Sequence, residues 1–286
     1  MLLHPIDSPM PHSEIPEPPE TANPNAMNPH LDSAAFARSP SWWLLMMEWR
    51  APLEAGAALA ASPLLQMAPR GDGHPVLVFP GLAASDLSTL PLRRFLEGRN
   101  HVPYGWDQGM NFGPRAGVLA ASLARVSELA ERHARPVSLV GWSLGGVYAR
   151  ELAKLAPQLV RNVVTLGAPF NGNPKANHAW RLFEATSGVR IGAPTLYAAL
   201  AETPPVPTTS VFSRSDGIVA WKCSLERALH PLAESVEVRA SHLGLGLSPA
   251  AWYVIADRLA QPEGRWQRFH RDGWRALVYP DPARPE

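Results

Sequence analysis

The sequence predicts an α/β fold with a mostly parallel sheet of about six strands and helices on both faces. From residue 75 onward, short apolar β-type segments alternate with helical patterns, an arrangement that requires right-handed crossovers between parallel strands. The chain has 286 residues and is 46% hydrophobic, so that it can bury one sizeable core.

Each strand is predicted from a run of apolar and β-branched residues that turn-forming residues bound. The predicted strands are residues 75–79, 101–105, 137–140, 160–166, 208–213 and 236–240. Apolar residues at helical spacing predict helices between them, and one more after the last strand. The predicted helices are residues 90–97, 116–133, 144–155, 224–229 and 249–259.

The ends of the chain differ from its centre. Residues 1–40 are rich in Pro, Asn, Ser and Glu, which predicts a disordered N-terminal tail. Residues 41–70 form an N-terminal helical segment, in which the Trp- and Met-rich stretch 41–67 predicts two or three short helices. This stretch either packs on the domain or makes a peripheral contact with a membrane or lipid surface. Its lack of a basic face favours packing.

Residues 71–262 are predicted to form the α/β domain, and residues 263–286 an irregular C-terminal tail. Within the domain, residues 170–207 join two strands through an unusually long connection. This connection predicts a small cap or lid insertion, with an ordinary crossover as the alternative.

Composition excludes several classes of partner and chemistry. The net charge is +1 and no run of Lys or Arg is present, so nucleic acid is not an expected partner. Cys223 is the only cysteine, which rules out an intramolecular disulfide or a Cys-based metal cluster within one chain. The N-terminus lacks a signal-peptide pattern, and no apolar run approaches about 20 residues, so we expect a cytoplasmic protein.

The pattern G-x-S-x-G, at Gly141 to Gly145, follows a predicted strand and opens a predicted helix. This context indicates a nucleophile elbow, in which Ser143 sits on a tight turn at the carboxyl edge of the sheet. The helix that follows presents its positive N-terminal end to a developing oxyanion. Ser143 is therefore the predicted nucleophile.

A serine nucleophile needs a histidine base, and the base needs an orienting acid. Of ten histidines, His242 alone directly follows the last predicted strand and so lies at the same sheet edge as Ser143. Asp216 follows the preceding strand, in a turn that Gly217 completes. The chain order Ser, Asp, His predicts Asp216 as the acid and His242 as the base.

An oxyanion hole uses the backbone N–H after the nucleophile and a second N–H from the loop after the first core strand. These positions are Leu144 and Leu82. An apolar substrate pocket is predicted from residues near these positions. Its candidates are Phe170, Val219 and Leu243 beside the two leucines, with Trp142 and Trp221 either as further walls or as core residues.

Several motifs together resemble the lipase and esterase branch of the α/β-hydrolase family. They are Pro80-Gly81-Leu82, Gly141 to Gly146, Leu166-Gly167-Ala168-Pro169-Phe170, Ser215 to Val219 and Ser241-His242. The resemblance covers residues 75 to 260. This chain departs from the family at Pro80, where many relatives carry histidine. It also departs in the helical stretch before His74, where relatives have two strands.

The resemblance implies a carboxylic ester hydrolase that forms an acyl-enzyme on Ser143 and needs no metal or organic cofactor. Its expected substrate is a small-molecule ester or a lipid. Two alternatives remain open: an acyltransferase or thioesterase that uses the same acyl-enzyme, and a non-catalytic binding protein with this fold. The natural substrate, its acyl chain length and the oligomeric state are not predicted.

Overall fold

A computed structural model describes residues 37–191, 199–226 and 230–284 of the chain. Its strands are β1 (Pro75–Phe79), β2 (Val102–Gly105), β3 (Val137–Trp142), β4 (Val160–Leu166), β5 (Thr208–Phe212) and β6 (Ala233–Glu237). They form one six-stranded sheet in the order β2-β1-β3-β4-β5-β6, and every neighbouring pair is parallel. The predicted α/β class is confirmed.

Helices cover both faces of this sheet. They are α1 (Trp42–Met46), α2 (Ala51–Ala60), α3 (Ser62–Leu65), α4 (Asp86–Gly98), α5 (Val118–His133), α6 (Leu144–Leu155), α7 (Trp180–Ser187), α8 (His242–Leu245), α9 (Pro249–Leu259) and α10 (Arg275–Val278). Apolar residues of α4 and α9 pack on one face, and those of α5 and α6 on the other. In the described part of the chain, no helix combines the length and apolar character that a bilayer span needs.

The central strands are buried along their whole length because both faces of the sheet are covered. Every residue of β1, β4 and β5 is buried. A strand buried on both faces is rich in apolar and β-branched residues and does not alternate with exposed polar ones. This composition made the central strands predictable to within two residues.

The prediction for the last strand was wrong by three residues. The structure places β6 at Ala233–Glu237 rather than at 236–240. Two glutamates in this strand are buried and hide its pattern. Glu234 accepts hydrogen bonds from Thr209 (2.9 Å) and Arg258 (2.9 Å), and Glu237 pairs with Arg284. A buried charge is tolerated in a strand when it has such partners.

Two predicted helices also needed correction. Helix α4 begins at Asp86 rather than at residue 90, and Pro91 lies inside it. Trp221–Ser224 is a 3-10 turn, where a helix over 224–229 was predicted. Residues 227–229 of that prediction lie outside the described residues.

Residues 37–40, which fall in the predicted N-terminal tail, belong to the described part of the chain. Residues 37–40 contact the loop at 173–178: Asn173 donates to the Ala37 carbonyl (3.2 Å) and His178 bonds that of Pro40 (2.9 Å). The remainder, 1–36, lies outside the described residues. The stretch 41–67 contains α1, a 3-10 turn at Met47–Arg50, α2 and α3, as the sequence predicts.

The proposed cap and the C-terminal segment both pack on the domain. Helix α7 lies within the 170–207 connection, where Arg115 donates to the Thr186 carbonyl (3.0 Å); residues 192–198 lie outside the described residues. Whether this connection opens as a lid stays a prediction. The C-terminal segment buries Tyr279, whose hydroxyl donates to the Ala250 carbonyl (3.1 Å).

Candidate active site

Ser143 lies at a sharp turn between β3 and α6. Its φ of 53° and ψ of −122° are unfavourable for a residue with a side chain, so neighbouring contacts must hold the turn in place. The Ser143 N–H donates to the Leu166 carbonyl (2.7 Å). A Cβ at Gly145 would lie 2.5 Å from the Phe79 carbonyl oxygen, so only glycine fits there. The structure therefore has the geometry of a nucleophile elbow.

The structure brings the three predicted polar residues together. His242 Nε2 lies 3.0 Å from Ser143 Oγ, and His242 Nδ1 lies 2.6 Å from Asp216 Oδ2. Because a carboxylate only accepts, Nδ1 carries the proton and Nε2 is free to accept from the serine hydroxyl. Asp216 and His242 are buried, whereas Ser143 is half-buried.

The Asp216 carboxylate is fixed by its own turn. Its Oδ1 accepts the backbone N–H groups of Ile218 (2.8 Å) and Val219 (2.7 Å), which leaves Oδ2 for His242. Such local bonds explain why an aspartate in a Ser-Asp-Gly turn can aim one oxygen at a fixed point. The acid and the base thus meet at the carboxyl edge of β5 and β6.

Opposing effects set the pKa of His242. Burial lowers this pKa, because it disfavours the imidazolium, while the charge of Asp216, its hydrogen bond and the charge of Glu48 raise it. The net direction is upward. The site therefore stabilises a protonated His242, the species that forms when a base takes a proton from serine.

The predicted oxyanion donors border the same space. Leu144 is the first residue of α6, so its N–H has no partner within the helix. The loop that carries Leu82 passes beside the nucleophile: a Cβ on Gly81 would lie 3.4 Å from Ser143 Cβ. Their role as an oxyanion hole stays a prediction.

A buried asparagine holds the Leu82 loop. Asn111 donates from Nδ2 to the Pro80 carbonyl (2.8 Å), and its backbone exchanges hydrogen bonds with Ala83 and Ala84 (2.7 and 2.8 Å). Its Oδ1 accepts from the Tyr148 hydroxyl (3.3 Å). Sequence reasoning missed Asn111, because an asparagine among Gly and Met residues suggests only a turn.

The predicted pocket residues separate into two groups. Leu243 and Trp142 line an open hollow of about 500 Å³ next to the His242 loop, together with Trp49, Ala51, Pro52 and Leu247. Phe170 and Val219 are each 2% exposed, and the Arg150 guanidinium lies 3.7 Å from the centre of the Phe170 ring. Phe170 and Val219 therefore pack inside the protein, and a substrate contact for them stays a prediction.

The N-terminal helical segment borders this hollow with an unusual distribution of side chains. The three charged residues of its stretch 41–67 point inward: Glu48 and Glu54 contact the loop of His242, and Arg50 donates to the Ser215 hydroxyl (2.8 Å). Its large apolar residues point outward. Trp42, Trp43, Met46, Trp49 and Leu53 are all more than half exposed. The segment thus packs on the domain through these polar side chains and, further along, through the buried Leu65.

A second Ser-His-Asp arrangement lies at the opposite edge of the sheet. His74 Nε2 is 2.8 Å from Ser138 Oγ, and His74 Nδ1 is 2.6 Å from Asp72 Oδ1. His74 and Ser138 are completely buried, and burial lowers the pKa of His74 to about 4. No substrate reaches this serine, so these residues are structural. Access and backbone geometry, more than residue types, distinguish Ser143.

Comparisons with known proteins agree with this architecture. No protein-family model matches the chain. A triacylglycerol lipase from Burkholderia plantarii is 32% identical over 166 residues, which cover 51% of this chain and 44% of that lipase. The chain therefore spans less than half the length of this relative.

Two solved structures share the fold. Bacillus licheniformis lipase BlEst2 in its mature form superposes with a TM-score of 0.51 at 15% identity, over 68% of this chain and 95% of that one. A Paleococcus ferrophilus monoacylglycerol lipase superposes with a TM-score of 0.50 at 15% identity, over 67% and 96%. The chain has the α/β-hydrolase fold of these two lipases, and half of its sequence is similar to that of the Burkholderia plantarii lipase.

Proposed function

We propose that the protein is a serine hydrolase that cleaves carboxylic esters. The observation that carries this proposal is the continuous hydrogen-bonded path from Ser143 through His242 to Asp216, with Ser143 on a strained turn. The backbone strain fixes the hydroxyl against its base, and the buried acid holds the imidazole in the tautomer that can accept a proton.

In the first half of the reaction, His242 Nε2 takes the Ser143 proton while Oγ attacks the ester carbonyl carbon. The Leu144 and Leu82 N–H groups bind the resulting oxyanion, each donor contributing about 3 kcal/mol at the transition state. The bond to the alcohol oxygen then breaks, and the imidazolium returns its proton to that oxygen. The alcohol leaves, and the acyl group stays on Ser143.

In the second half, water replaces the alcohol. His242 takes a proton from the water as its oxygen attacks the acyl carbon, and the same two N–H groups bind the new oxyanion. The bond to Ser143 Oγ breaks, and His242 protonates Oγ. The carboxylic acid is released, and the starting state of the three residues is restored.

The hollow beside Leu243 supports an apolar substrate. Its lining by Trp49, Trp142, Leu243 and Leu247 suits the acyl or alcohol part of an ester of a fatty or aromatic acid. A series of p-nitrophenyl esters from acetate to palmitate tests this, and replacement of Trp49 by alanine should lower the preference for long chains. An unchanged preference would exclude this hollow as the chain site.

The outward apolar face of the N-terminal helical segment supports a peripheral contact with an uncharged lipid surface. Trp42, Trp43 and Trp49 are each more than 60% exposed, and the three charged residues of the stretch 41–67 point inward. Without an outward basic group, the face suits neutral lipid rather than anionic headgroups. Sedimentation with neutral vesicles should fall when Trp42 and Trp49 are both replaced by serine. Equal binding would contradict the contact.

The test of ester hydrolysis compares the wild-type chain with Ser143→Ala and with Ser127→Ala, a control on the surface of α5. Activity should disappear only in Ser143→Ala, without a change in thermal unfolding. Labelling by a serine-directed phosphonate should follow the same pattern. A wild-type protein that neither hydrolyses any ester nor takes the label would refute the proposal.

The alternative acyl acceptors are tested in the same assay. An acyltransferase or thioesterase would still take the phosphonate on Ser143, because it uses the same nucleophile. It would release p-nitrophenol slowly in water and faster with an added alcohol, or it would cleave acyl thioesters in preference to esters. A rate that added alcohol leaves unchanged favours hydrolysis.

A further inference from the structure

Glu48 is a buried carboxylate outside the three residues of the proposed triad. It lies in the 3-10 turn Met47–Arg50 of the N-terminal helical segment and is 6% exposed. Its Oε1 accepts the backbone N–H groups of Gly217 (2.7 Å) and His242 (2.9 Å), and its Oε2 accepts that of Leu243 (2.9 Å). One side chain therefore satisfies three backbone donors.

These donors belong to two different loops. Gly217 directly follows the acid Asp216, in the loop after β5, whereas His242 and Leu243 start α8, after β6. The Glu48 carboxylate thus connects the loop of the acid to the loop of the base. The backbone of the segment packs closely against Gly217, because a Cβ on Gly217 would overlap the backbone of Leu44.

The charge of Glu48 acts in the same direction as that of Asp216. Both raise the pKa of His242 against the effect of burial. Two other charged groups of the stretch 41–67 bond the residues next to His242 and Asp216. Glu54 binds the Ser241 N–H (2.8 Å) and is paired with Arg50 (3.0 Å), which also binds Ser215. The charge of Glu54 is therefore balanced by that of Arg50, whereas the charge of Glu48 acts on His242.

We propose that Glu48 is a positioning residue for the reaction, holding the loops of Asp216 and His242 at the spacing that their 2.6 Å hydrogen bond requires. This inference rests on the proposed ester hydrolysis. The N-terminal helical segment is then a part of the active site, both through Trp49 at the hollow and through the bonds of Glu48 to the two loops.

The test compares Glu48→Gln, Glu48→Asp and Glu54→Gln in the full chain. Glutamine keeps the size of Glu48 but removes its charge and places an N–H₂ group against backbone donors. We expect kcat to fall roughly 10- to 100-fold with little change in KM, because a displacement of about 1 Å between reacting groups has such an effect. The acid limb of the kcat/KM profile should shift to lower pH.

Glu48→Asp separates position from charge. The shorter side chain cannot reach all three donors, so kcat should fall, while the retained charge should leave the acid limb near its wild-type pH. Glu54→Gln removes a carboxylate of the same segment that bonds neither Gly217 nor His242. It should lower the thermal unfolding temperature and leave the acid limb in place.

A readout that is independent of turnover is the NMR titration of His242 in histidine-labelled protein. Its midpoint should fall in Glu48→Gln and stay in Glu54→Gln. A folded Glu48→Gln variant with wild-type kcat and an unmoved His242 titration would overturn the inference. If Glu48→Gln does not fold, a wild-type kcat in Glu48→Asp would overturn the inference instead.

The failure of the proposed function has a different signature. In that case, the wild-type chain would neither hydrolyse esters nor take a phosphonate on Ser143. A hydrolytic wild-type protein whose kcat is insensitive to both Glu48 substitutions would refute only the positioning role.

Discussion

Trp142 Nε1 donates a hydrogen bond to the backbone carbonyl of His242 at 3.1 Å. The residue that precedes the nucleophile therefore fixes the backbone of the base. This bond crosses from the end of β3 to the start of α8, and it joins two sides of the site that are 100 residues apart in the sequence.

Trp142→Phe should lower kcat/KM about fivefold. The variant loses one hydrogen bond that places His242, and this loss should raise the activation free energy by about 1 kcal/mol. Esterase kinetics check this expectation. Trp252→Phe is the matched control, since Trp252 Nε1 donates to the Gly246 carbonyl (2.9 Å) without contacting His242. Equal losses of activity in both variants would indicate a general effect on stability.

Asp216→Asn should lower kcat roughly 10³- to 10⁴-fold without unfolding the protein, because the amide no longer holds His242 with Nε2 as the acceptor. Steady-state kinetics measure the fall in kcat, and circular dichroism checks that the variant stays folded. Asp107→Asn, in an exposed turn, is the control and should keep wild-type activity. Near-full activity of Asp216→Asn would mean that another acid orients the base.

The acid limb of kcat/KM should have its midpoint above the ordinary histidine pKa of about 6.5. Asp216 and Glu48 raise the pKa of His242, and only the neutral imidazole accepts the Ser143 proton. Activity should therefore rise with pH through a midpoint on the alkaline side of that value. A pH-rate profile with its acid midpoint below about 6 would contradict the upward shift in the pKa of His242.

Asn111→Ala should lower kcat about tenfold or more and lower the free energy of unfolding by about 1–3 kcal/mol. The substitution leaves the Pro80 carbonyl and the Tyr148 hydroxyl without this partner and frees the loop of the second oxyanion donor. Tyr148→Phe removes only one of these bonds and should have a smaller effect on kcat. Ester kinetics and urea unfolding measure both quantities. Wild-type kcat in a folded Asn111→Ala variant would show that the loop needs no such support.

The protein should lose stability between about pH 6.5 and pH 4. Burial lowers the pKa of His74 and of His101 to about 4, so the unfolded chain binds protons in this range that the folded protein does not. The contribution of these two histidines is fully present above about pH 6.5, and each accounts for a loss of roughly 3 kcal/mol by pH 4.

Urea unfolding at pH 7.0 and pH 5.0 measures this loss, and His101→Phe should reduce the difference. Neither ring nitrogen of His101 has a hydrogen-bond partner among the described residues, so phenylalanine removes no such bond. His270→Phe, near the C-terminus, is the control. The same pH dependence in wild type and His101→Phe would locate the loss elsewhere.

The sequence predicted the part of the site that depends on chain order and on strand ends. Ser143, Asp216 and His242 follow β3, β5 and β6, and the carboxyl ends of parallel strands lie at one edge of a sheet. The error in β6 did not affect His242, because the residue still follows the strand in a loop at that edge. The buried Glu234 and Glu237 could not be recognised, since their partners are distant in the sequence.

The sequence could not predict Glu48 or Asn111 as parts of the site. Both bind backbone N–H or carbonyl groups, which every residue carries, so no residue type at the other end of the bond identifies the contact. The Ser138, His74 and Asp72 arrangement shows the reverse problem. Its residue types match those of a catalytic site, and only burial reveals that it is structural.

The inward carboxylate of Glu48 also bears on which part of the chain the proposed activity requires. A shortened chain that starts at Gly71 would retain all six strands, the elbow and every residue of the proposed triad. It would lack Glu48, whose carboxylate bonds both the loop after β5 and the loop after β6. The smallest active fragment is therefore expected to start before Glu48. The proposed activity thus requires residues that precede the first strand of the sheet.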